Sequence, residues 1–258
     1  MPHPEPSGLN LLHDDGLCLV LNKQGGVLTQ APPDVDSLEF RLKRWFREQN
    51  PEAKKIYCGV PHRLDRPVSG AMVFCRNQEG TRHLSGQFQY RSTEKVYWAI
   101  VAGDAFPESG TLTDFMRKLP DQAKSEVCDE THPDAQLALL KYQTMARGMG
   151  LSWLKIRLET GRTHQIRVQT SSRGWPILGD ALYGSGHEFG PQAVDLRARW
   201  IALHARSLTF EHPTLAKRMT IEAPLYEPWV PLINSFADQN PEIAQSNICP
   251  KTADNVGE

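Results

Sequence analysis

The chain has 258 residues and a formal net charge of −1, and hydrophobic residues make up 40% of it. A disordered chain would be more polar and more biased in charge, so this composition predicts one large folded domain or two small ones. The five cysteines include no Cys-x-x-Cys pair, and there is no signal peptide or apolar run of membrane-spanning length, so we expect a reduced, cytoplasmic protein without disulfides.

Strands and helices are predicted to follow one another in the first part of the chain. Leu17–Asn22 is a short apolar run that ends at two glycines, which favours a buried strand and a turn. Asp36–Asn50 has apolar residues at helical spacing and is predicted as an amphipathic helix. Asp36 and Glu39, three positions later, resemble a capping box at its start. Ala71–Arg76 is predicted as a strand, Gln78–Arg91 as a helix and Glu94–Val101, which alternates, as a strand.

The middle of the chain is predicted to contain a loop and a strand pair. Met116–Ala135 is polar and holds two prolines, so it is predicted as a loop. Leu137–Met145 and Leu151–Thr160 are predicted to pair through a glycine-containing turn. Thr163 is predicted to cap a helix that runs to about Ser172.

A hairpin is predicted near the end, from Ala205–Phe210 and Arg218–Ala223. Because strands and helices are interspersed without strict βαβ alternation, we predict one α+β domain with a mixed sheet.

Most motifs for metals, cofactors and hydrolysis are absent. No Gly-x-Gly-x-x-Gly follows a strand, and there is no P-loop, His-Glu-x-x-His or zinc-deaminase pattern. Ser69 does not lie in a Gly-x-Ser-x-Gly elbow, and the nine histidines lack metal-ligand spacing. We therefore expect no metal and no cofactor.

Three segments concentrate polar and charged side chains: HRLDRPVSG (62–70), KVYWAIV (95–101) and ETGRTHQIRV (159–168). Singly, each also fits a structural role. Asp65 would suit a turn, Tyr97 a strand core and Arg162 a solvated surface.

Together, and in this order, the segments resemble the motifs of the RluA-type RNA pseudouridine synthases. LGDALYG (178–184), LHARSLTFEHP (203–213) and APL (223–225) agree with the same family, and the resemblance covers about Leu11 to Leu225. Val68, Gln24 and Gln169 depart from the usual family residues, which bears on loop conformation and substrate fit.

The resemblance implies a single pseudouridine synthase-like catalytic domain with a mixed, largely antiparallel central sheet flanked by helices and loops. We expect this domain at 11–237, between an N-terminal tail (1–10) and a polar C-terminal tail (238–258), with no room for the S4-type RNA-binding module that many relatives carry.

The resemblance also implies the roles of individual residues. Asp65 matches the catalytic carboxylate, which suits a glycosidic cleavage that builds positive charge on the sugar. The sequence leaves open whether it attacks the sugar, attacks the base or removes a proton from the sugar. Arg162 is taken as the arginine that the family pairs with its aspartate, and Tyr97 as the tyrosine that lies against the uracil. Arg63 matches a position suited to filling the space of a flipped base.

Five further residues are predicted to contact the substrate: His62, Arg66, Lys95, Ile166 and Arg167. Of these, Ile166 is expected in the apolar floor of the site, and His62 and Arg66 as scaffold or phosphate contacts.

Two other functions remain open. A non-catalytic RNA-binding domain would be favoured by loss of Asp65 or Tyr97, and both are present. A nucleoside or glycoside hydrolase usually needs a second carboxylate, which the motifs do not offer. The expected partner is a tRNA or rRNA stem-loop bound by a monomer, with phosphate contacts from the basic residues of Leu151–Trp175 and of the Asp36–Asn50 helix.

Overall fold

The computed structural model describes residues 8–33, 35–104 and 107–240. Its strands are β1 (Leu11–Asp14), β2 (Cys18–Lys23), β3 (Ser69–Cys75), β4 (Glu94–Ala102), β5 (Ser109–Lys118), β6 (Ser125–Cys128), β7 (Gln136–Gly148), β8 (Leu151–Leu158), β9 (Leu203–Glu211) and β10 (Arg218–Glu222). Its α-helices are α1 (Leu38–Gln49), α2 (Gln78–Gln89), α3 (Gln165–Ser171) and α4 (Val230–Gln239). No helix in these ranges is long and apolar enough to cross a membrane.

All ten strands of the described residues lie in one sheet, in the order β1-β2-β3-β9-β4-β8-β7-β5-β6, with β10 paired to β9. Only the short β3–β9 pairing is parallel, which makes the sheet mixed and largely antiparallel as predicted. The predicted tails, 1–10 and 238–258, lie mostly outside the residues that the structure describes, because residues 1–7 and 241–258 are not among them.

Strands β2 and β3 are buried on both faces because a helix covers each face. Leu21 in β2 belongs to the same core cluster as Leu42 and Phe46 of α1. Val20, which points the other way, packs in a second cluster with Leu84 of α2. The side chains of successive strand residues alternate between faces, so the continuous apolar run fits a strand with two covered faces.

Three local predictions were wrong. The N-cap of α1 is Ser37, whose hydroxyl accepts from the Phe40 N–H, and not Asp36. Thr163 does not cap α3, because its N-cap is His164 in a left-handed conformation without a side-chain bond. The supposed loop Met116–Ala135 holds the end of β5 and all of β6, which extend the sheet as an antiparallel pair.

The junction of β3 and β9 fixes the segment that precedes it. Gly70 has φ +119°, and a Cβ there would lie 2.3 Å from the Ala205 carbonyl oxygen, so only glycine lets the strands approach this closely. Beside it, the Ser69 hydroxyl and His204 Nδ1 are 2.8 Å apart and buried. His204 Nε2 faces the Ala223 carbonyl at 3.1 Å, so Nε2 donates there and Nδ1 accepts from Ser69.

Candidate active site

Asp65 lies in the loop that leads into β3, and buried donors hold this loop from below. Lys23, which is fully buried, donates to the carbonyls of Arg66 (3.0 Å) and Val68 (2.7 Å). The Thr29 hydroxyl donates to the Leu64 carbonyl at 3.0 Å. Because a buried carbonyl without a donor is costly, these bonds favour one loop conformation.

Two cavities meet at Asp65. The first, here called the Tyr97 cavity, has a volume of about 340 Å³ and is also lined by Ile166 and Leu203. The second, the Arg66 cavity, has a volume of about 390 Å³. Asp65 lines both, and its side chain is 26% exposed, so its carboxylate can reach a ligand in either cavity.

A buried arginine stands behind the carboxylate. Arg167 Nη1 lies 3.5 Å from Asp65 Oδ2, and its side chain is only 3% exposed. The same guanidinium donates twice to Asp180, from Nε at 2.6 Å and from Nη2 at 2.8 Å. Burial acts to lower the pKa of Arg167, but Asp180 outweighs it and the pKa is raised. Arg167 is therefore a fixed positive charge whose orientation Asp180 sets.

His164 faces Asp65 from the start of α3. Its Nε2 lies 3.7 Å from Asp65 Oδ2, and its Nδ1 lies 2.7 Å from the Tyr183 hydroxyl. Its backbone is left-handed, with φ 58°, which is uncommon for a residue other than glycine. Burial lowers the pKa of His164, although Asp65 opposes this, so the ring is neutral at neutral pH.

The tautomer of His164 follows from its neighbours. The Tyr183 hydroxyl accepts from the Ser125 N–H at 2.9 Å, and its proton can go to the Ser125 carbonyl at 3.3 Å or to His164 Nδ1 at 2.7 Å. The shorter contact favours donation to His164 Nδ1. Nε2 then carries the ring hydrogen and points it at the Asp65 carboxylate. The opposite tautomer would set a nitrogen lone pair against an anion, so the carboxylate favours the first arrangement.

Tyr97 and Ile166 both line the Tyr97 cavity, and their contact with a base stays a prediction. They are 9% and 4% exposed. Burial, reinforced by Asp65, raises the pKa of Tyr97, so the phenol stays protonated. An aromatic ring with a protonated hydroxyl can stack on a base and donate a hydrogen bond.

The predicted pairing of Arg162 with Asp65 was wrong. Arg162 donates from Nε to the Leu137 carbonyl at 2.9 Å and from Nη1 to Gln136 Oε1 at 3.0 Å. It lines the Tyr97 cavity, but the guanidinium that reaches Asp65 belongs to Arg167. The pairing could not be seen in the sequence because it depends on Asp180, which lies 13 residues beyond Arg167.

The remaining predicted contacts divide between the cavities. His62 and Lys95 line the Tyr97 cavity, Arg66 lines the Arg66 cavity and Arg63 lines both. His62 has a scaffold role, since its Nε2 accepts from the Val73 N–H at 3.0 Å and its ring stacks on a phenylalanine. Burial lowers the pKa of His62 to about 3. Arg66 donates to Asp195 Oδ2 at 2.9 Å.

The basic face of α1 is a weaker candidate for RNA contact than its sequence suggests. Arg41 contacts Asp36 at 2.5 Å, and Lys43 contacts Glu39 at 2.6 Å. These cations are neutralised within their own segment. In the second basic stretch, Arg173 is likewise paired, with the carboxylate of Asp114 at 2.9 Å.

One group among the described residues has metal-ligand spacing: Asp15, Cys18 and His212. His212 Nδ1 lies 3.3 Å and 3.2 Å from the backbone N–H groups of Thr214 and Leu215, so it accepts from them. Its Nε2 lies 2.8 Å from Asp15 Oδ2 but does not form a hydrogen bond with it. The Asp15 carboxylate accepts from the backbone N–H groups of Leu17 and Cys18 through its other oxygen.

Sequence reasoning missed His164, Asp180, Tyr183 and Lys23 as parts of the site. His164, Asp180 and Tyr183 lie inside segments that were matched to the family, and Lys23 precedes Gln24, which departs from it, but none of the four was assigned a role. These segments contain several polar residues although their apolar neighbours predict that they are buried. That combination could have identified the four residues, because a buried polar group needs a hydrogen-bond partner.

Comparisons with known proteins relate the chain to a described family. Residues 18–172 match the sequence model of the family described as RNA pseudouridylate synthase. The dual-specificity RNA pseudouridine synthase RluA of Vibrio vulnificus is 34% identical over 216 residues, which are 81% of this chain and 80% of that protein. The ribosomal large subunit pseudouridine synthase D of Pseudomonas aeruginosa is 31% identical over 88% of this chain and 71% of its own length.

A solved structure shows the same fold. The human RNA pseudouridylate synthase domain containing 4 superposes with a TM-score of 0.68 at 24% identity, over 84% of this chain and 89% of the human chain.

Proposed function

We propose that this chain, which belongs to the RNA pseudouridylate synthase family and is an RNA pseudouridine synthase, isomerises uridines in unpaired loops of structured RNA with Asp65 as its reacting carboxylate. The observation that carries the role of Asp65 is its position where two cavities meet, with Arg167 fixed 3.5 Å behind it. The reaction breaks the bond from N1 of uracil to the sugar, joins C5 to the same sugar carbon and moves the C5 proton. It needs no redox partner.

The target base enters the Tyr97 cavity. Its ring lies against Tyr97 and Ile166, and its sugar faces Asp65, which lines the same cavity. A base inside a duplex cannot reach such a cavity, so the uridine must first leave its stack. Arg63, which lines both cavities and is exposed, is placed to occupy the space that the base leaves.

Arg167 and His164 act on the carboxylate. Arg167 places a positive charge 3.5 Å from Oδ2, and Asp180 keeps Arg167 in position. His164 Nε2 lies near the same oxygen, Oδ2, at 3.7 Å, which is too far for a hydrogen bond, so the second oxygen of Asp65 is left for the substrate. Both groups are set before substrate arrives, so little reorganisation is needed when charge develops.

The cavities also argue against hydrolysis. Among the described residues that line them, Asp65 is the sole carboxylate. Asp180, which contacts Arg167, is 1% exposed and lines neither cavity. A glycosidase would place a second carboxyl group across the bond that is cleaved. The presence of both Asp65 and Tyr97 likewise disfavours a domain that only binds RNA.

The substrate we propose is a tRNA or rRNA stem-loop bound by a monomer. The names of the Vibrio and Pseudomonas relatives refer to RNA and to the large ribosomal subunit. Base recognition in RNA favours unpaired loops because a base there is displaced at little cost.

Product analysis tests this function. The purified protein is incubated with tRNA and rRNA stem-loops, and the nucleosides, the intact RNA mass and free uracil are measured. We expect pseudouridine at unchanged RNA mass. Release of free uracil would mean that the protein is a hydrolase. RNA that is bound tightly but stays unmodified would mean that it is a non-catalytic RNA-binding domain.

A further inference from the structure

Three cations converge on one side of the Tyr97 cavity. Arg91, Lys95 and Arg162 all line it, and Arg91 and Lys95 also line the adjoining cavity of about 300 Å³. Arg91 lies in the turn after α2, Lys95 in strand β4 and Arg162 in the segment before α3. Arg91 and Lys95 are neighbours along the chain, and the tertiary fold brings Arg162 to them.

None of these cations forms an ion pair within the described residues. The carboxylates nearest in sequence have other partners. Glu94 contacts Arg157 at 3.4 Å, and Glu159 contacts Lys141 at 3.4 Å. The hydrogen bonds of Arg162 go only to neutral oxygens. Glu159 lines the adjoining cavity and Asp65 lines the Tyr97 cavity, but their ion pairs go to Lys141, Arg157 and Arg167. The three cations are therefore without an ion-pair partner among the described residues.

The three groups also repel one another. Burial first, and then the charge of Arg91, lower the pKa of Lys95. The same two causes lower the pKa of Arg162. Bringing like charges together without an acid is unfavourable, and an anion bound among them would remove that repulsion.

The side chains are positioned rather than loose. Lys95 stands two residues before Tyr97 in β4, so both side chains lie on one face of the strand. Leu137 and Gln136 hold two of the guanidinium nitrogens of Arg162. Arg91 has a left-handed backbone with φ 60° directly after α2.

We propose that Arg91, Lys95 and Arg162 form a binding site for one phosphate of the RNA backbone, that of a linkage next to the target uridine. This inference rests on the proposed function and refines it. A base stacked on Tyr97 brings its own backbone beside Lys95, because the two residues share a strand face. Arg162 then holds the substrate and is not the charge partner of Asp65.

Binding of a stem-loop to the variants tests the site. Lys95→Gln and Arg91→Gln are made in an Asp65→Asn background, so that no turnover disturbs the measurement. Lys217→Gln is the matched control, since Lys217 is exposed in the β9–β10 turn. We expect each site variant to weaken binding about tenfold, as for a charge-assisted hydrogen bond. The salt slope should fall by about 0.7 for each phosphate of a single strand that the protein no longer neutralises. Control-like affinity in both variants would overturn the site.

A neutral linkage identifies the phosphate. RNAs with a methylphosphonate on the 5′ or the 3′ side of the target uridine remove one charge each. At one of the two linkages, we expect the methylphosphonate to weaken binding by the parent protein. The same methylphosphonate should weaken binding by the Lys95→Gln variant only slightly, because the contact to that phosphate is already lost. Full additivity at both linkages would refute the assignment. The result does not depend on catalysis, so a failure of the proposed function would show separately, as absence of pseudouridine with the unaltered protein.

Discussion

Replacing Arg167 by lysine should damage catalysis, whereas the same change at Arg162 should damage mainly substrate binding. Arg167 serves two carboxylates at once, with two bonds to Asp180 and Nη1 at 3.5 Å from Asp65. A lysine ammonium is a point charge and cannot keep this planar arrangement. Arg162 donates to two neutral oxygens and does not touch Asp65.

The distance between Arg167 and Asp65 sets the expected loss in kcat. At 3.5 Å and an effective dielectric constant of about 20, Coulomb's law gives about 5 kcal/mol between Arg167 and Asp65. Asp65 is 26% exposed, so solvent screens part of this. We expect Arg167→Lys to lose about 2 kcal/mol of this interaction energy, which corresponds to a decrease of about 30-fold in kcat. Weakening the buried bonds to Asp180 should cost a further ~1–3 kcal/mol in the free energy of unfolding.

Single-turnover rates and urea unfolding of the two variants provide the assay. For Arg162→Lys we expect a higher KM and a kcat within about twofold of the parent. A parental kcat in Arg167→Lys, together with a large loss of kcat in Arg162→Lys, would refute this assignment of the charge partner.

The same geometry predicts the behaviour of Tyr97, of Lys23 and of the substrate. Tyr97→Phe should keep stacking and most substrate affinity, whereas Tyr97→Ala should lose both, and comparing KM and kcat for the two variants separates ring from hydroxyl. Burial lowers the pKa of Lys23 to about 7, although Asp65 opposes this, and an unfolded lysine titrates near 10.5. Between these values the unfolded chain binds more protons, so stability should rise with pH, and urea unfolding of Lys23→Met should lack that rise. A target uridine in a continuous duplex should react much more slowly than one in a loop at equal ionic strength, and equal rates would contradict the proposed recognition.

Apolar periodicity was enough to predict most of the central elements. Leu17–Asn22 and Ala71–Arg76 lie close to β2 and β3, because continuous apolar runs are typical of strands covered on both faces. The hairpin of β9 and β10 and the pair of β7 and β8 are also confirmed.

Apolar periodicity did not predict the elements in which one strand face is exposed to solvent, or in which polar contacts determine the backbone conformation. In β5 only Leu112 and Met116 are buried, so the strand gives a weak apolar signal, and its last three residues fell in the predicted loop Met116–Ala135. Strand β1 and helix α4 (Val230–Gln239) were not predicted. The left-handed backbone of His164 has no counterpart in a hydrophobic pattern, because the residue is polar and its ring lies beside Tyr183 and Asp65.

For the site, motif resemblance indicated Asp65 and Tyr97, which line one cavity in the structure, but it paired Asp65 with Arg162 and not with Arg167. Two arginines lie five residues apart in ETGRTHQIRV, and both are basic residues in one motif. Burial distinguishes them: Arg167 is inside, against Asp180, and Arg162 is at the rim. That difference arises from long-range packing, which sequence spacing does not encode.

The most direct test of the central claim is the turnover of Asp65→Asn on a stem-loop that carries tritium at C5 of its uridines. Tritium is released when C5 loses its hydrogen, so release reports the isomerisation itself. The substitution preserves shape but removes the negative charge. We predict parental stem-loop affinity and an unchanged fold with no tritium release above that of an enzyme-free control. Measurable catalytic release by a folded, RNA-binding Asp65→Asn protein would contradict the account.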